Sequence, residues 1–323
     1  MSMMLTGLLE EEFASSEKPK LYVDDVYRTH TYIGNGTSQD LDLGIDFTKH
    51  GGMVLFKNRE ASQNFCLHST LLGATKQLYT NVTNVLETIP TGLTAFTNTG
   101  VSVGSNIAWN ASGQRHVAWV FREAPRFFTQ RLVNHTSGTT TTVDLSSLGT
   151  VGCVIFKAVN GSGIGYNWYV AHRSLNAATT DYMTLNLTNA VVRNNWGPQI
   201  SGTNLIISSS FNTGQYLVMG FAHMLFGDTP GLCKAGSLTL GTTPWTETCG
   251  FSPRLVILKR TDAAGDWYVW DTARGIVAGN DPHLLLNSTA AEVTGTDHID
   301  PATGGFIINP TLPAGSYIYW ACA

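Results

Sequence analysis

The chain has 323 residues, of which 43% are hydrophobic and 13% are Asp, Glu, Lys or Arg, for a formal net charge of −4. That charged share is about half the usual ~25%, so Thr, Ser, Asn and Gly must supply the polar surface, and no basic run exists to neutralise a phosphate backbone, which argues against a nucleic-acid partner. No apolar stretch reaches the ~18 residues of a membrane-spanning helix, so no membrane insertion is expected, and the first basic residue is Lys18, which argues against a secretory leader.

Residues 1–25 stand apart. Met3, Met4, Leu5, Leu8, Leu9 and Phe13 recur at roughly helical spacing, residues 10–12 are all Glu, and 15–19 reads as linker. One reading is a frayed tail. The other is a docking peptide that lays Met4, Leu5, Leu8, Leu9 and Phe13 into a groove on another protein.

From residue 26 the pattern is that of strands. Residues 29–33 lead to a turn at Gly34-Asn35-Gly36, and 39–43 alternates polar and apolar, as a half-buried strand does. Residues 53–56 form a continuous apolar run after Gly51-Gly52, which predicts a central strand buried on both faces. Strands are predicted at 65–68, 77–80, 93–96, 101–103 and 116–121, with single helical turns at 69–76 and 174–178. About seven strands in ~100 residues is the density of a β-sandwich.

This pattern is written three times. Gly52-Met-Val-Leu-Phe-Lys57 returns as Gly152-Cys-Val-Ile-Phe-Lys157 and as Arg254-Leu-Val-Ile-Leu-Lys259, so Lys57, Lys157 and Lys259 recur at intervals of 100 and 102 residues. Asn81-Val-Thr83, Asn186-Leu-Thr188 and Asn287-Ser-Thr289 keep the same beat. So do the closing strings His116-Val-Ala-Trp-Val-Phe121, Tyr216-Leu-Val-Met-Gly-Phe221 and Tyr317-Ile-Tyr-Trp-Ala-Cys322. A solenoid repeats every ~20–50 residues, whereas this period suits a small domain with its own core. The sequence thus predicts an all-β chain of three tandem antiparallel β-sandwich domains, at 26–128, 129–228 and 229–323, with neighbours in contact across short joins.

Chemistry is sparse. The chain has no Gly-x-Ser-x-Gly, His-Glu-x-x-His or Walker A string, and its glycine clusters read as hairpin turns rather than phosphate cradles. His68 and His172 share a position that holds Asp271 in the third copy, with no converging third ligand for a metal. Asp297 and Asp300 are the candidate carboxylate pair of a glycosidase, which needs a spacing of ~5–10 Å across a sugar; the first two copies have no counterpart, which favours a solvated loop. The loop around Asp262 and Asp266 falls short of the ~6–8 oxygens calcium takes. No catalytic, metal or cofactor site is therefore expected. Asn81, Asn186 and Asn287 read as amides that tie backbone at a turn, not as glycan acceptors. Of five cysteines, Cys66, Cys153 and Cys322 lie in apolar strands, and Cys233 and Cys249, in one copy, are the candidate pair for a bridge. Trp109, Trp196 and Trp245 sit in polar loops and are candidate glycan contacts, an aromatic face with a free indole N–H, set against packing on a neighbouring copy.

Several strings together resemble a repeated domain of virion proteins of tailed phages, tail-fibre-like proteins among them. They are Tyr32-Ile-Gly-Asn-Gly36, Phe-Lys-Asn-Arg at 56–59, His-Arg-Ser-Leu-Asn at 172–176, Leu-Asn-Leu-Thr-Asn-Ala at 185–190 and Tyr-Val-Trp-Asp-Thr-Ala-Arg-Gly at 268–275. The resemblance spans residues 26–323. Val-Ala-Trp-Val-Phe at 117–121 fits it, and Met219-Gly220 departs from it. It implies lectin-like or jelly-roll-like sandwiches, a place on the outer surface of the phage particle, a homotrimer, and no catalytic residues. Asp24-Asp25-Val26-Tyr27 is similar to the junction at which such fibres leave their attachment peptide. The expectation is a non-enzymatic fibre or appendage, anchored to another virion protein through residues 1–25 and contacting a host-surface glycan or protein. The alternatives are a head decoration or tail scaffold protein without a receptor, and a polysaccharide-depolymerising tailspike.

Overall fold

The computed structural model describes residues 21–163, 165–175, 180–224 and 232–323. Among them the fold is all-β: six antiparallel sheets, with one four-residue α-helix and three short 3-10 turns. Each repeat contributes one large and one small sheet. In spatial order, the first large sheet runs Tyr27–Ile33, Arg115–Arg122, Gly52–Asn58, Cys66–Ser69, Lys76–Tyr79, Glu87–Thr88, and its small partner Gln39–Asp42, Gly100–Val103, Leu93–Phe96. The second pair is Phe128–His135, Gly214–Ala222, Val151–Ala158, Tyr169–His172, Met183–Thr184 with Thr141–Asp144, Asn204–Ile207, Gln199–Ser201. The third is Cys233–Leu240, Gly315–Cys322, Leu255–Arg260, Trp267–Asp271, Leu284–Leu285 with Trp245–Thr248, Gly305–Ile308, Ile299–Ala302.

In every repeat the first and last strands lie side by side, Tyr27 opposite Phe121, Phe128 opposite Phe221 and Cys233 opposite Cys322. The chain therefore leaves each repeat next to where it entered, and a short join suffices. The glycines shared by the first two copies sit where the Lys-ending strand meets the last strand on its other side: a Cβ on Gly52 would stand 2.4 Å from the Phe121 carbonyl oxygen, and one on Gly152 2.7 Å from that of Ala222. Met219 and Gly220 themselves pair in regular register with both neighbours, the shift in this strand's pairing lying beyond them between Val151 and Cys153, and Gly220 makes room for Leu148 and Leu145. The helical turn expected at 69–76 is not a helix: Ser69 ends one strand, Lys76 begins the next and turns lie between them. Of the turn expected at 174–178, residues 176–178 lie outside the described residues. The α-helix is Ile107–Asn110, capped by Asn106, whose Oδ1 accepts from Ala108 N at 2.9 Å.

Separate cores were the expectation, and the structure adds to them a core that the repeats share. The large sheets are buried on both faces. In the third repeat Leu238, Val256, Leu258, Tyr317 and Tyr319 face the small sheet's Ile299, Phe306 and Ile308. The alternate residues Ile318, Trp320 and Cys322 instead join a cluster that also holds Trp119 and Phe121 of the first repeat and Met219 and Phe221 of the second. The rings of Phe121, Phe221 and Trp320 meet one another there, with centroids 5.1–6.0 Å apart. Strand alternation sends one side of each large sheet to its own sandwich and the other to a core common to all three. A small apolar cavity of about 70 Å³ lies in that common core, lined from the three repeats by Leu55, Ile155 and Ile257 among others.

Candidate functional site

The repeats close into a ring through three related clasps. Lys57, Lys157 and Lys259 are fully buried. Lys157 Nζ donates to the Tyr166 carbonyl of its own turn at 2.6 Å and to the Thr83 carbonyl of the first repeat at 3.2 Å. Lys259 Nζ donates to the Gly265 carbonyl at 2.7 Å and to the Thr188 carbonyl of the second repeat at 3.0 Å. Lys57 Nζ donates to the carbonyls of Asn58 and Ala61 at 2.9 and 3.3 Å and to that of Thr289, in the third repeat, at 3.1 Å. The neighbour's acceptor is each time the Thr of an Asn-x-Thr string. Burial pushes all three ammonium groups down to about 8.

The asparagines of those strings hold the acceptor loops. Asn81 Oδ1 accepts from Phe65 N at 2.9 Å, Asn186 Oδ1 from Trp168 N at 2.8 Å and Asn287 Oδ1 from Trp267 N at 2.8 Å. Their Nδ2 groups donate to Asn64, Asn167 and Asp266. Indoles add a second stitch: Trp168 Nε1 donates to the Tyr79 carbonyl at 2.8 Å and Trp267 Nε1 to that of Thr184 at 2.9 Å. Phe65 holds the matching place in the first repeat, and its ring has no N–H to give.

The seam between the first and third repeats is built differently. Trp119 Nε1 donates to Asp271 Oδ2 at 2.9 Å, and the Arg274 guanidinium lies 5.1 Å over the Trp119 ring. Arg274 pairs with Asp271 at 2.6 Å and with Glu292 at 3.1 Å, and Arg59 reaches Glu292 at 2.7 Å. The Asp271 and Arg274 side chains have no exposure at all. This cluster was missed in the sequence, although Asp271 and Arg274 stand in one of the distinctive strings.

The other sequence candidates scatter. Trp109 is a correction: it is fully buried, set by its helix over the first sandwich, with ring centroids 5.2 Å from His68 and 6.3 Å from Phe56. Trp196 and Trp245 are exposed, at 50% and 38%. The Trp245 indole N–H is not free; it donates to Glu247 Oε2 at 3.2 Å. Asp297 and Asp300 both accept from Asn309 Nδ2, at 2.6 and 2.9 Å, so an amide fills the gap where a glycosidase pair would hold its sugar. Cys233 and Cys249 are unbridged, as are the other three, and all five are buried. The anchor candidates Met4, Leu5, Leu8, Leu9 and Phe13 lie outside the described residues.

Residues 23–323 match a family described as a domain of unknown function, DUF7483. No curated protein matches the chain.

Proposed function

We propose that this chain, which belongs to the DUF7483 family, is a non-enzymatic structural and adhesive component of a tailed-phage particle. In this reading residues 1–25 dock on another virion protein, and the ring presents its loops to a host-surface glycan or protein. The particle setting, and assembly of three copies, rest on the sequence resemblance. One structural observation supports a scaffold rather than a catalyst: the groups that chemistry would need are committed to holding the ring. The three buried lysines, the Asp271–Arg274–Glu292 cluster and the Asp297–Asn309–Asp300 bridge all spend their donors and acceptors internally. Exposed Trp196 and Trp245 then remain as aromatic faces turned outward.

The test is incorporation and adhesion, measured together. Removing residues 1–20 is expected to abolish recovery of the protein in purified particles while leaving its melting unchanged. The labelled full chain is expected to bind host cells. Particles that retain the truncated protein would overturn the anchor, and a chain that never binds host cells would overturn the adhesive role.

A further inference from the structure

The seams between repeats differ at their rims, and one rim is shaped for a sugar. At the seam of the first and second repeats the space is filled: Gln130 donates to Thr70 Oγ1 at 2.8 Å and accepts from Ser69 Oγ at 2.7 Å. At the seam of the first and third repeats a groove stays open, and it is charged, with Asp24, Arg28, His30 and Arg254 on its walls. At the seam of the second and third repeats a groove of about 320 Å³ is open and has no charged side chain in its lining.

We infer that this neutral groove binds an uncharged saccharide, a reading that rests on the adhesive role and names its site and ligand class. Trp245 forms one wall. It is 38% exposed, yet its ring is held: Nε1 donates to Glu247, whose other oxygen accepts from Lys234 Nζ at 2.8 Å and from Tyr319 Oη at 2.6 Å. Fixing an exposed indole gains the fold little. It does preorganise a flat π face for a ligand, which reduces the ordering cost of binding. Leu175 of the second repeat, partly exposed, gives the groove an apolar wall, and the buried Leu238 and Tyr317 lie beneath it as part of the third sandwich's core. Ser174 from the second repeat and Ser237 and Thr239 from the third add exposed hydroxyls, which both donate and accept. A pyranose has that complement: a C–H face for the indole and hydroxyls around its edge. The volume is at the small end of ligand pockets, ~300–1,000 Å³, and suits one or two rings rather than a long chain. The absence of a cation in the lining selects against uronates and sialates, because a carboxylate desolvated there would find no partner.

The experiment is an array of neutral and acidic oligosaccharides probed with the labelled full chain and with Trp245→Ala, Glu247→Gln, Trp196→Ala and Arg254→Ala. Neutral glycans are expected to be captured, with at least a tenfold loss for Trp245→Ala, a smaller loss for Glu247→Gln and none for Trp196→Ala. Unchanged melting of Trp245→Ala shows that the fold is intact. Neutral binding that survives Trp245→Ala overturns the groove and leaves adhesion standing. Binding confined to acidic glycans and lost in Arg254→Ala moves the site to the charged groove and overturns the inference. Capture of no glycan at all overturns both the groove and the glycan form of the adhesive role.

Discussion

Replacing Lys157 by Met isolates one clasp. Methionine fills the space of the aliphatic stem but leaves the Tyr166 and Thr83 carbonyls without their donor. A buried acceptor left unpaired costs ~1–3 kcal/mol, so the two together give a gross loss of ~2–6 kcal/mol. Against that stands the desolvation of the ammonium, whose cost shows in its depressed pKa. The net expectation is a loss of ~2–4 kcal/mol, read as a lower urea midpoint with unchanged slope. Lys57→Met strands three carbonyls and should cost more. Lys49, 77% exposed at its side chain, is the control, and Lys49→Met should stay within ~0.5 kcal/mol. Hydrogen exchange separates a clasp from a local turn: in Lys157→Met, protection must fall around Thr83 in the first repeat as well as around Tyr166. Buried ionic groups can sometimes be replaced by apolar ones without loss. A midpoint that stays or rises, or a change confined to the second repeat, would refute the clasp.

Because one core runs through all three repeats, calorimetry should show a single transition with matching van't Hoff and calorimetric enthalpies, and residues 128–222 alone should fail to fold; three separate transitions would contradict the shared core. Trp109→Ala should destabilise by ~3–5 kcal/mol, as large core truncations do, with glycan binding unaffected, whereas Trp196→Ala should leave the melting temperature in place. Glu292→Gln should cost ~3–5 kcal/mol by leaving buried guanidinium charge uncompensated, and a double-mutant cycle with Arg59→Met should recover part of it. Burial holds His68 and His172 down to about 4, so the unfolded chain takes up protons below its ordinary 6.5 while the folded chain does not. Stability should therefore be full above pH 6.5 and fall as pH drops toward 4, by ~3 kcal/mol for each fully enclosed histidine at ~1.4 kcal/mol per unit; Asp281, raised to about 6 by burial, opposes this in part. Denaturant titrations between pH 4 and 7 check the slope, and a flat profile would contradict it.

Strand positions were legible because alternation and turn residues are local signals. The predicted strands at 93–96 and 116–121 match Leu93–Phe96 and Arg115–Arg122 to within a residue at each end. The lysine and Asn-x-Thr landmarks were legible as a repeat, but their partners were not. Nothing in residues 52–57 says that the Lys57 ammonium meets a carbonyl 232 residues away. A run buried on both faces is equally consistent with a private core and a shared one, since the pattern records burial and not who provides it. Trp109 misled for a related reason: its Asn- and Gly-rich surroundings look solvated, yet Asn110 is buried as a hub, accepting from Asn35 N at 2.9 Å and Gln39 Nε2 at 2.7 Å. Its Nδ2 also donates to the Gly104 carbonyl at 2.7 Å. Polar composition marks a loop only when its hydrogen bonds go to water.

The unequal seams follow from how the ring is connected. Two seams join repeats that are consecutive in the chain, so the short joins already hold those partners close. The third must bring the first and last repeats together across most of the sequence, and loop-closure entropy rises, if slowly, with the length enclosed. That is the seam with the Arg59–Glu292–Arg274–Asp271 cluster, the Trp119 stitch and the Arg254–Asp24 pair at its rim. Buried ion pairs are poor sources of net stability but demand one geometry. Here they set which face of the third repeat meets the first, and so work against strand-like opening or exchange with another copy. The apolar rings at the centre supply attraction without direction; the charged seam supplies direction where the chain itself does not.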